Sequence, residues 1–172
     1  MISAVAKQYA LALDSLELDY NEVLDDLGLV TAALNNKMTS DFFTHPLISD
    51  EEKKNVIRKT FEHFHQQILH FIFVLIDNER MAIMEDIIDS YMFINDEKNN
   101  IMRVDIIAST SLTKEQEEQL IQILAQRFGK KIKANIVIDT KIIGGLIIKY
   151  NGQVLDDSVI GKLKSLKEIF SV

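Results

Sequence analysis

The sequence predicts an α + (α+β) architecture, in which an N-terminal six-helix bundle precedes a small α+β domain with a short sheet and two helices. Three observations lead to this prediction. Apolar residues recur with the helical period of 3.6 up to residue 93 and with the strand period of 2 after residue 100. A single proline and six glycines in 172 residues favour long helices over a many-turned β-sandwich. The aperiodic polar stretch 95–100 therefore marks the boundary between a domain at 1–100 and a domain at 101–172.

Helical spacing predicts the first elements of the bundle in order. Apolar residues from Ile2 to Leu16 fall on one helix face, and a second set in register predicts a helix over 21–37. A short element at 41–43 ends before Pro46, because the residue that precedes a proline avoids the helical conformation.

A capping box opens the fourth helix. The Ser49 hydroxyl can accept a hydrogen bond from the amide of Glu52 while the Glu52 carboxylate accepts one from the amide of Ser49, which predicts a helix that continues through Phe64. The apolar run 68–76 predicts a fifth helix that is buried on nearly all sides, and the spacing of the next segment predicts a sixth helix at 80–93.

The second domain begins with a strand. Alternation across 104–108 predicts that strand, and a capping box at 113–116 opens a helix that ends at Gly129, a residue suited to the left-handed conformation of a helix terminus. A second strand is predicted at 132–138.

A hairpin and a helix complete the second domain. A third strand is predicted at 143–150, where Gly144-Gly145 is typical of a bulge or a close backbone approach. Asn151-Gly152 is a strong hairpin signal and leads into a short strand at 153–155. Ser158 then caps a final amphipathic helix.

Charge is distributed unevenly between the two domains. Residues 1–100 hold 8 Lys/Arg and 18 Asp/Glu, a net charge of −10, whereas residues 101–172 hold 11 and 8, a net charge of +3. The acidic part argues against nucleic acid as its partner, and the basic part could face an acidic protein or RNA. The absence of cysteine excludes disulfides and thiolate metal sites. With no secretory signal and no apolar run of about 20 residues, we expect a soluble intracellular protein.

Candidate catalytic and metal sites fail on spacing. On a helix, His63 and His65 would point in different directions, and Glu62 with His65 gives only one of the two Glu-x-x-His pairs that a di-iron bundle needs. Gly129-Lys130 and Gly161-Lys162 lack the remaining residues of a phosphate-binding loop, and Gly-x-Ser-x-Gly does not occur. The sequence therefore predicts no catalytic residue, no metal site and no cofactor. The acidic pair at 156–157 before Ser158 fits a turn and helix cap, with an ion site as the weaker alternative.

The first predicted helix is apolar over more of its circumference than one core contact requires. Ala4, Leu11 and Ala12 leave its far side small and apolar. These residues could pack against a neighbouring helix, or they could border a groove that accepts an amphipathic helix from another chain.

A series of short segments in order resembles the delta subunit family of rotary ATP synthase, the bacterial relatives of the mitochondrial oligomycin-sensitivity-conferring protein. The resemblance spans essentially the whole chain. Its segments are 5–13 (VAKQYALAL), 46–48 (PLI), 77–80 (DNER), Ile87, Ile88, Tyr91, 139–148 (DTKIIGGLII), Asn151-Gly152, Asp156, Ser158 and Leu163.

The resemblance implies a non-catalytic stator subunit of a rotary proton-translocating ATP synthase, at the cytoplasmic face of the bacterial inner membrane and not inserted in it. The helical domain would grip the N-terminal helix of an alpha subunit between the first and fifth helices. The second domain would hold the b-type subunits of the peripheral stalk. The residues expected to contact the catalytic head are Val5, Tyr9, Ala12, Leu13, Phe71 and Leu75. The residues expected to contact the stalk are Lys130, Lys131, Lys133 and Lys149.

Two other classes of function stay open on the residues alone. One is an RNA-binding protein that uses the basic second domain, although Tyr150 is the only aromatic residue on its predicted strands. The other is an enzyme whose acid and base groups are brought together by the fold.

Overall fold

The computed structural model describes residues 3–142, 144–150 and 152–156, and the chain forms two compact units that divide between Asn95 and Asp96. The described residues contain seven α-helices, one 3₁₀ turn and four strands, a mixed α+β composition. The helices that precede the sheet are α1 (Ala4–Asp14), α2 (Tyr20–Leu34), α3 (Lys37–Thr44), α4 (Asp50–Thr60), α5 (Gln66–Asp77) and α6 (Met84–Lys98), with a 3₁₀ turn at Met81–Ile83.

Side-chain caps explain where the early helices start. The Asp19 carboxylate accepts hydrogen bonds from the amides of Asn21 and Glu22 and so begins α2. The Asn36 side chain accepts from the amide of Met38 and begins α3. The single helix predicted at 21–37 is therefore wrong at its end, because this second cap breaks it after Leu34.

The capping box of α4 is confirmed, but the predicted length of the helix is wrong. The Ser49 amide lies 3.1 Å from the Glu52 carboxylate and the Glu52 amide 3.3 Å from the Ser49 hydroxyl. The helix ends at Thr60, since the backbone of Phe61 leaves the helical region. Phe61 and Phe64 lie in the following turn with ring centroids 4.7 Å apart, and both are buried.

The prediction that α5 is buried on nearly all sides is also wrong. One side of the helix enters the core, whereas His70 is exposed and Val74 is 47% exposed. The helical unit has one continuous core, to which α1, α2, α4, α5 and α6 all contribute. Its largest fully buried side chains are Leu13, Val23, Leu27, Val30, Ile57, Ile68, Ile72, Leu75, Ile76, Met84 and Ile87.

The sixth helix extends further than its apolar spacing predicts. The predicted start at residue 80 is wrong, because a 3₁₀ turn occupies Met81–Ile83 and the helix begins at Met84. The helix continues to Lys98, and two acidic side chains of its last turn have partners in the residues that follow. The Arg103 guanidinium donates two hydrogen bonds to the Asp96 carboxylate, one of them 3.1 Å long. Lys130 lies 2.7 Å from the Glu97 carboxylate. The last turn of α6 is thus fixed to the residues that follow it.

The second unit is a four-stranded sheet with a crossover helix. Its elements are β1 (Ile101–Ala108), α7 (Lys114–Phe128), β2 (Lys131–Ile138), β3 (Leu146–Tyr150) and β4 (Gln153–Asp156). The strand order is β2-β1-β3-β4, in which β1 and β2 are parallel and the other pairs are antiparallel. Because parallel neighbours need a crossover, α7 lies between them in sequence. Leu124 of α7 packs with Val104, Ile106 and Ile148 of the sheet.

Turns in the second unit follow the predicted residues with one exception. The capping box of Thr113 and Gln116 opens α7, and Gly129, with φ of +64°, ends it. Tyr150 pairs with Gln153, so the connection has two residues, as the hairpin signal predicts. Gly144-Gly145 precedes β3 with φ of +79° and +89°, so the predicted start of that strand at residue 143 is wrong, and of the two interpretations of these glycines a bulge inside the strand is excluded. The final helix predicted from Ser158 lies outside the described residues.

Candidate functional site

An open groove runs between α1 and α5. It has a volume of about 340 Å³ and is almost entirely apolar. The residues that line it are Tyr9, Ala12 and Leu16 from α1 and the turn that follows it, and Gln67, His70, Phe71 and Val74 from α5.

Helical spacing produces both walls of the groove. The α5 wall uses positions three, four and seven residues after Gln67, which places all four side chains on one side of the helix. On the other wall, Tyr9 and Ala12 lie three residues apart on α1, and Leu16 follows in the turn after the helix ends at Asp14. Since a helix rises 1.5 Å per residue, the α5 wall extends about 10 Å, the length of roughly two helical turns.

The floor of the groove is aromatic and its rims are exposed. The Tyr9 and Phe71 rings meet edge to face with centroids 6.3 Å apart, and Phe71 is buried while Tyr9 is half-buried. Ala12 and Val74 remain exposed at the rims. Covering this surface with an apolar side of another helix would remove it from water, which is favourable.

The structure separates the six residues expected to contact the head into two groups. Tyr9, Ala12 and Phe71 line the groove. Leu13 and Leu75 are core residues with exposures of 1% and 0%, because they lie on the sides of α1 and α5 that face the interior. A direct contact of these two side chains with a partner is therefore not supported.

Val5 lies outside the groove, and the groove has lining residues besides the expected ones. Val5 is exposed on α1 one turn before Tyr9 and does not line the groove. Two further lining residues, His70 and Val74, belong to the predicted fifth-helix run 68–76, whereas Leu16 and Gln67 lie outside the segments expected to form the groove. The signal in the sequence was the polar pair Gln67 and His70, which mark one side of an otherwise apolar helix.

Three of the four predicted stalk lysines share one face of the sheet. In the strand register, Lys133 is opposite Arg103 and Lys149 is opposite Asp105. Since alternate residues of a strand point to the same side, Lys131 lies on this face as well, and all three lysines are exposed. We call this surface the basic face. Lys130 precedes β2 and forms an ion pair with Glu97, so it lies outside the basic face.

The opposite face of the sheet packs against α7, and this bears on the RNA alternative. The Tyr150 ring lies on that side, with its centroid 4.7 Å from the Phe128 ring of α7. The single aromatic residue on the predicted strands is thus engaged in the core and is not presented on the basic face for base stacking.

The histidines near residue 63 lie in a turn and not on one helix. His63 and His65 lie at the turn between α4 and α5, and not within one helix as the sequence analysis assumed; the His65 ring accepts from the amide of Gln67 as the cap of α5. Burial raises the pKa of Asp26 on α2, and the nearby positive potential of both histidines partly offsets the rise. No group of three His, Cys, Asp or Glu residues in the described part of the chain has a geometry that could hold a metal ion.

Among the described residues, no helix is both long and apolar enough to cross a bilayer. The glycine of Gly129-Lys130 serves as a helix terminus, while Gly161-Lys162 and residues 157–158 lie outside the described ranges. The described residues form two candidate binding surfaces: an apolar groove on the helical unit and a basic sheet face on the second unit. Such a pair of surfaces is typical of a protein-binding adaptor.

Comparison with known proteins identifies the family. The ATP synthase delta (OSCP) subunit family matches residues 5–170, and the chain belongs to this family. It is a non-catalytic stator subunit of ATP synthase.

Individual relatives agree over nearly full lengths. The chain is 29% identical over 169 residues to ATP synthase subunit delta of Bacillus cytotoxicus, covering 95% of this chain and 93% of that protein. It is 32% identical over 172 residues to the sodium ion specific ATP synthase subunit delta of Propionigenium modestum, covering 96% and 98%. A chain of the Toxoplasma gondii mitochondrial ATP synthase hexamer shares the fold, with a TM-score of 0.68 at 20% identity over 99% of both chains.

Proposed function

We propose that this chain ties the catalytic head of a proton-translocating ATP synthase to its peripheral stalk. Its helical unit, a six-helix bundle, would hold the N-terminal helix of an alpha subunit in the groove between α1 and α5. The observation that carries this proposal is the groove itself, since both of its walls have helical spacing and its floor and rims are apolar.

The groove fits a helix better than a small molecule. It is an open trough about two turns long, and it offers few polar side chains with which to orient a compact ligand. An amphipathic helix laid along it would present residues spaced three and four apart to Tyr9, Phe71 and Val74. Leu13 and Leu75 would support these contacts from behind, because they fix the two walls in the core.

The second partner is proposed to be the b-type subunits of the peripheral stalk, docked on the basic face. Lys131, Lys133 and Lys149 place three positive charges on one exposed surface. An acidic helical partner would be steered there by charge complementarity. Lys130 contributes less in this proposal, since Glu97 already neutralises it.

Holding two partners at once suits a stator. Binding through both units raises the effective concentration of each contact without any new interaction. Resistance to rotation depends on slow dissociation, and affinity differences between related complexes are mostly differences in off-rate. The proposed location is the cytoplasmic face of a bacterial inner membrane, as a peripheral part of the complex.

Placing a charge in the groove tests the proposal. Ala12→Asp puts a carboxylate where the partner helix would cover it, and an unpaired covered charge should weaken binding by about 2 kcal/mol or more, which is about 30-fold. The measurement is the affinity of the purified chain for the delta-depleted catalytic head, with circular dichroism to verify the fold.

Leu11→Asp is the matched control. Leu11 is 49% exposed, neighbours Ala12 in sequence and does not line the groove. The proposal predicts head affinity close to that of the unmodified chain for Leu11→Asp. Equal affinities for the two aspartate variants would refute the groove as the head-binding site.

A further inference from the structure

Among the described residues that line the groove, His70 is the only histidine. It lies on the α5 wall between Gln67 and Val74, and it is exposed when the groove is open. Histidine is the side chain whose ordinary charge change falls between pH 5 and 8. The other titratable residue in the lining is Tyr9, which carries a phenol.

The groups that face His70 offer no negative charge to stabilise an imidazolium. Tyr9 faces it from α1. The centroid of the His70 ring lies 6.2 Å from that of Phe73, which is also on α5. The guanidinium of Arg58, on α4, lies 5.2 Å from the centre of the same Phe73 ring. Further along α5, Asp77 is seven residues away and forms an ion pair with Lys54. None of the lining residues in the described chain is a carboxylate.

We infer that protonation of His70 regulates docking in the groove, so that the groove releases its helix on acidification. The inference rests on the proposed function, because the occupant is the apolar side of the alpha-subunit N-terminal helix. A docked helix covers the imidazole beside Phe71 and Val74, and covering a charged group without a partner is unfavourable. Covering neutral His70 costs less, because a polar group and not a full charge is removed from water.

The direction of the effect follows from this preference. If the bound state disfavours the charged imidazole, the affinity for the helix is greatest at pH values at which His70 of the free chain is neutral. The affinity falls as the pH is lowered and His70 becomes protonated. We therefore expect binding to be about tenfold weaker at pH 5.5 than at pH 8, since histidine side chains change their charge in this range. Each docking event near pH 6 would also release a fraction of a proton.

The test uses the full chain and a synthetic peptide of the cognate alpha-subunit N-terminal segment, with any histidine in the peptide replaced by glutamine. Isothermal titration calorimetry from pH 5.5 to 8, in buffers of different ionisation enthalpy, gives both the affinity and the proton release. The variants are His70→Gln, which stays neutral, and His63→Gln, an exposed histidine outside the groove.

The expected result is about a tenfold loss of affinity on acidification with proton release, retained in His63→Gln and absent in His70→Gln. Affinity of the unmodified chain that is constant with pH, or that rises on acidification, would overturn the inference and leave the groove assignment in place. A pH dependence that survives in His70→Gln would also overturn it. Absence of peptide binding at every pH would instead refute the proposed function, and this inference with it.

Discussion

The ion pair between Asp96 and Arg103 should hold the last turn of α6 to the sheet. Replacing Arg103 by alanine should therefore lower the free energy of unfolding. The Asp96 side chain is 9% exposed and receives two hydrogen bonds from the guanidinium. Removing one partner of a buried ion pair leaves an uncompensated charge and destabilises by about 3–5 kcal/mol. Because the Arg103 side chain is 44% exposed, solvent screens part of this interaction, and we expect about 2–3 kcal/mol.

The measurement is urea unfolding of the full chain, combined with hydrogen exchange of the β1 and α7 amides. Hydrogen exchange is needed because a two-unit chain need not unfold in one step. Lys130→Ala is the control, since it breaks the more exposed ion pair with Glu97 in the same turn and should cost about 0.5 kcal/mol.

A second substitution distinguishes lost charge pairing from lost packing. Adding Asp96→Asn to Arg103→Ala removes the unpaired charge, so the double variant should recover most of the lost stability. The reasoning would be refuted if Arg103→Ala and Lys130→Ala lowered the free energy of unfolding equally, or if the double variant were no more stable than Arg103→Ala.

Two further predictions concern the groove and the basic face. Leu75→Ala should lower the free energy of unfolding by about 2–5 kcal/mol in thermal or urea denaturation, because Leu75 is fully buried. Substitution of the adjacent, exposed residue, Val74→Ala, should change the free energy of unfolding by less than about 1 kcal/mol and should instead weaken binding to the head. An equal loss of stability in both would contradict the two-sided account of α5. Replacing Lys131, Lys133 and Lys149 together by glutamine should lower the affinity for the stalk and flatten its salt dependence, measured between about 50 and 300 mM salt. Unchanged salt dependence would remove the electrostatic part of the stalk proposal.

Local chemistry was predictable from the sequence, and these features were found where they were expected. Both capping boxes and the left-handed Gly129 depend on residues three or four apart, so a short stretch specifies them. The adjacent asparagines at 35–36 carried the same kind of information, yet the continuing apolar pattern obscured the cap at Asn36 that divides α2 from α3.

The depth of a residue was harder to predict than its face. Periodicity places Leu13 and Tyr9 on the apolar part of α1, but only packing decides that Leu13 enters the core while Tyr9 borders the groove. The same limit applies to α5, where the run 68–76 is apolar on every side except at His70, so only that residue and Gln67 indicate which side stays uncovered. Val74 and Leu75 are adjacent in sequence, yet the Val74 side chain is exposed and the Leu75 side chain is buried.

Site-specific cross-linking in the assembled ATP synthase tests the central claim most directly. The chain has no cysteine, so a single introduced cysteine can carry a photoreactive group without background. The account predicts cross-links from Ala12→Cys and Val74→Cys to the N-terminal segment of an alpha subunit, and few from Leu11→Cys. Cross-linking of Leu11→Cys to that segment, with none from the two groove positions, would contradict the account.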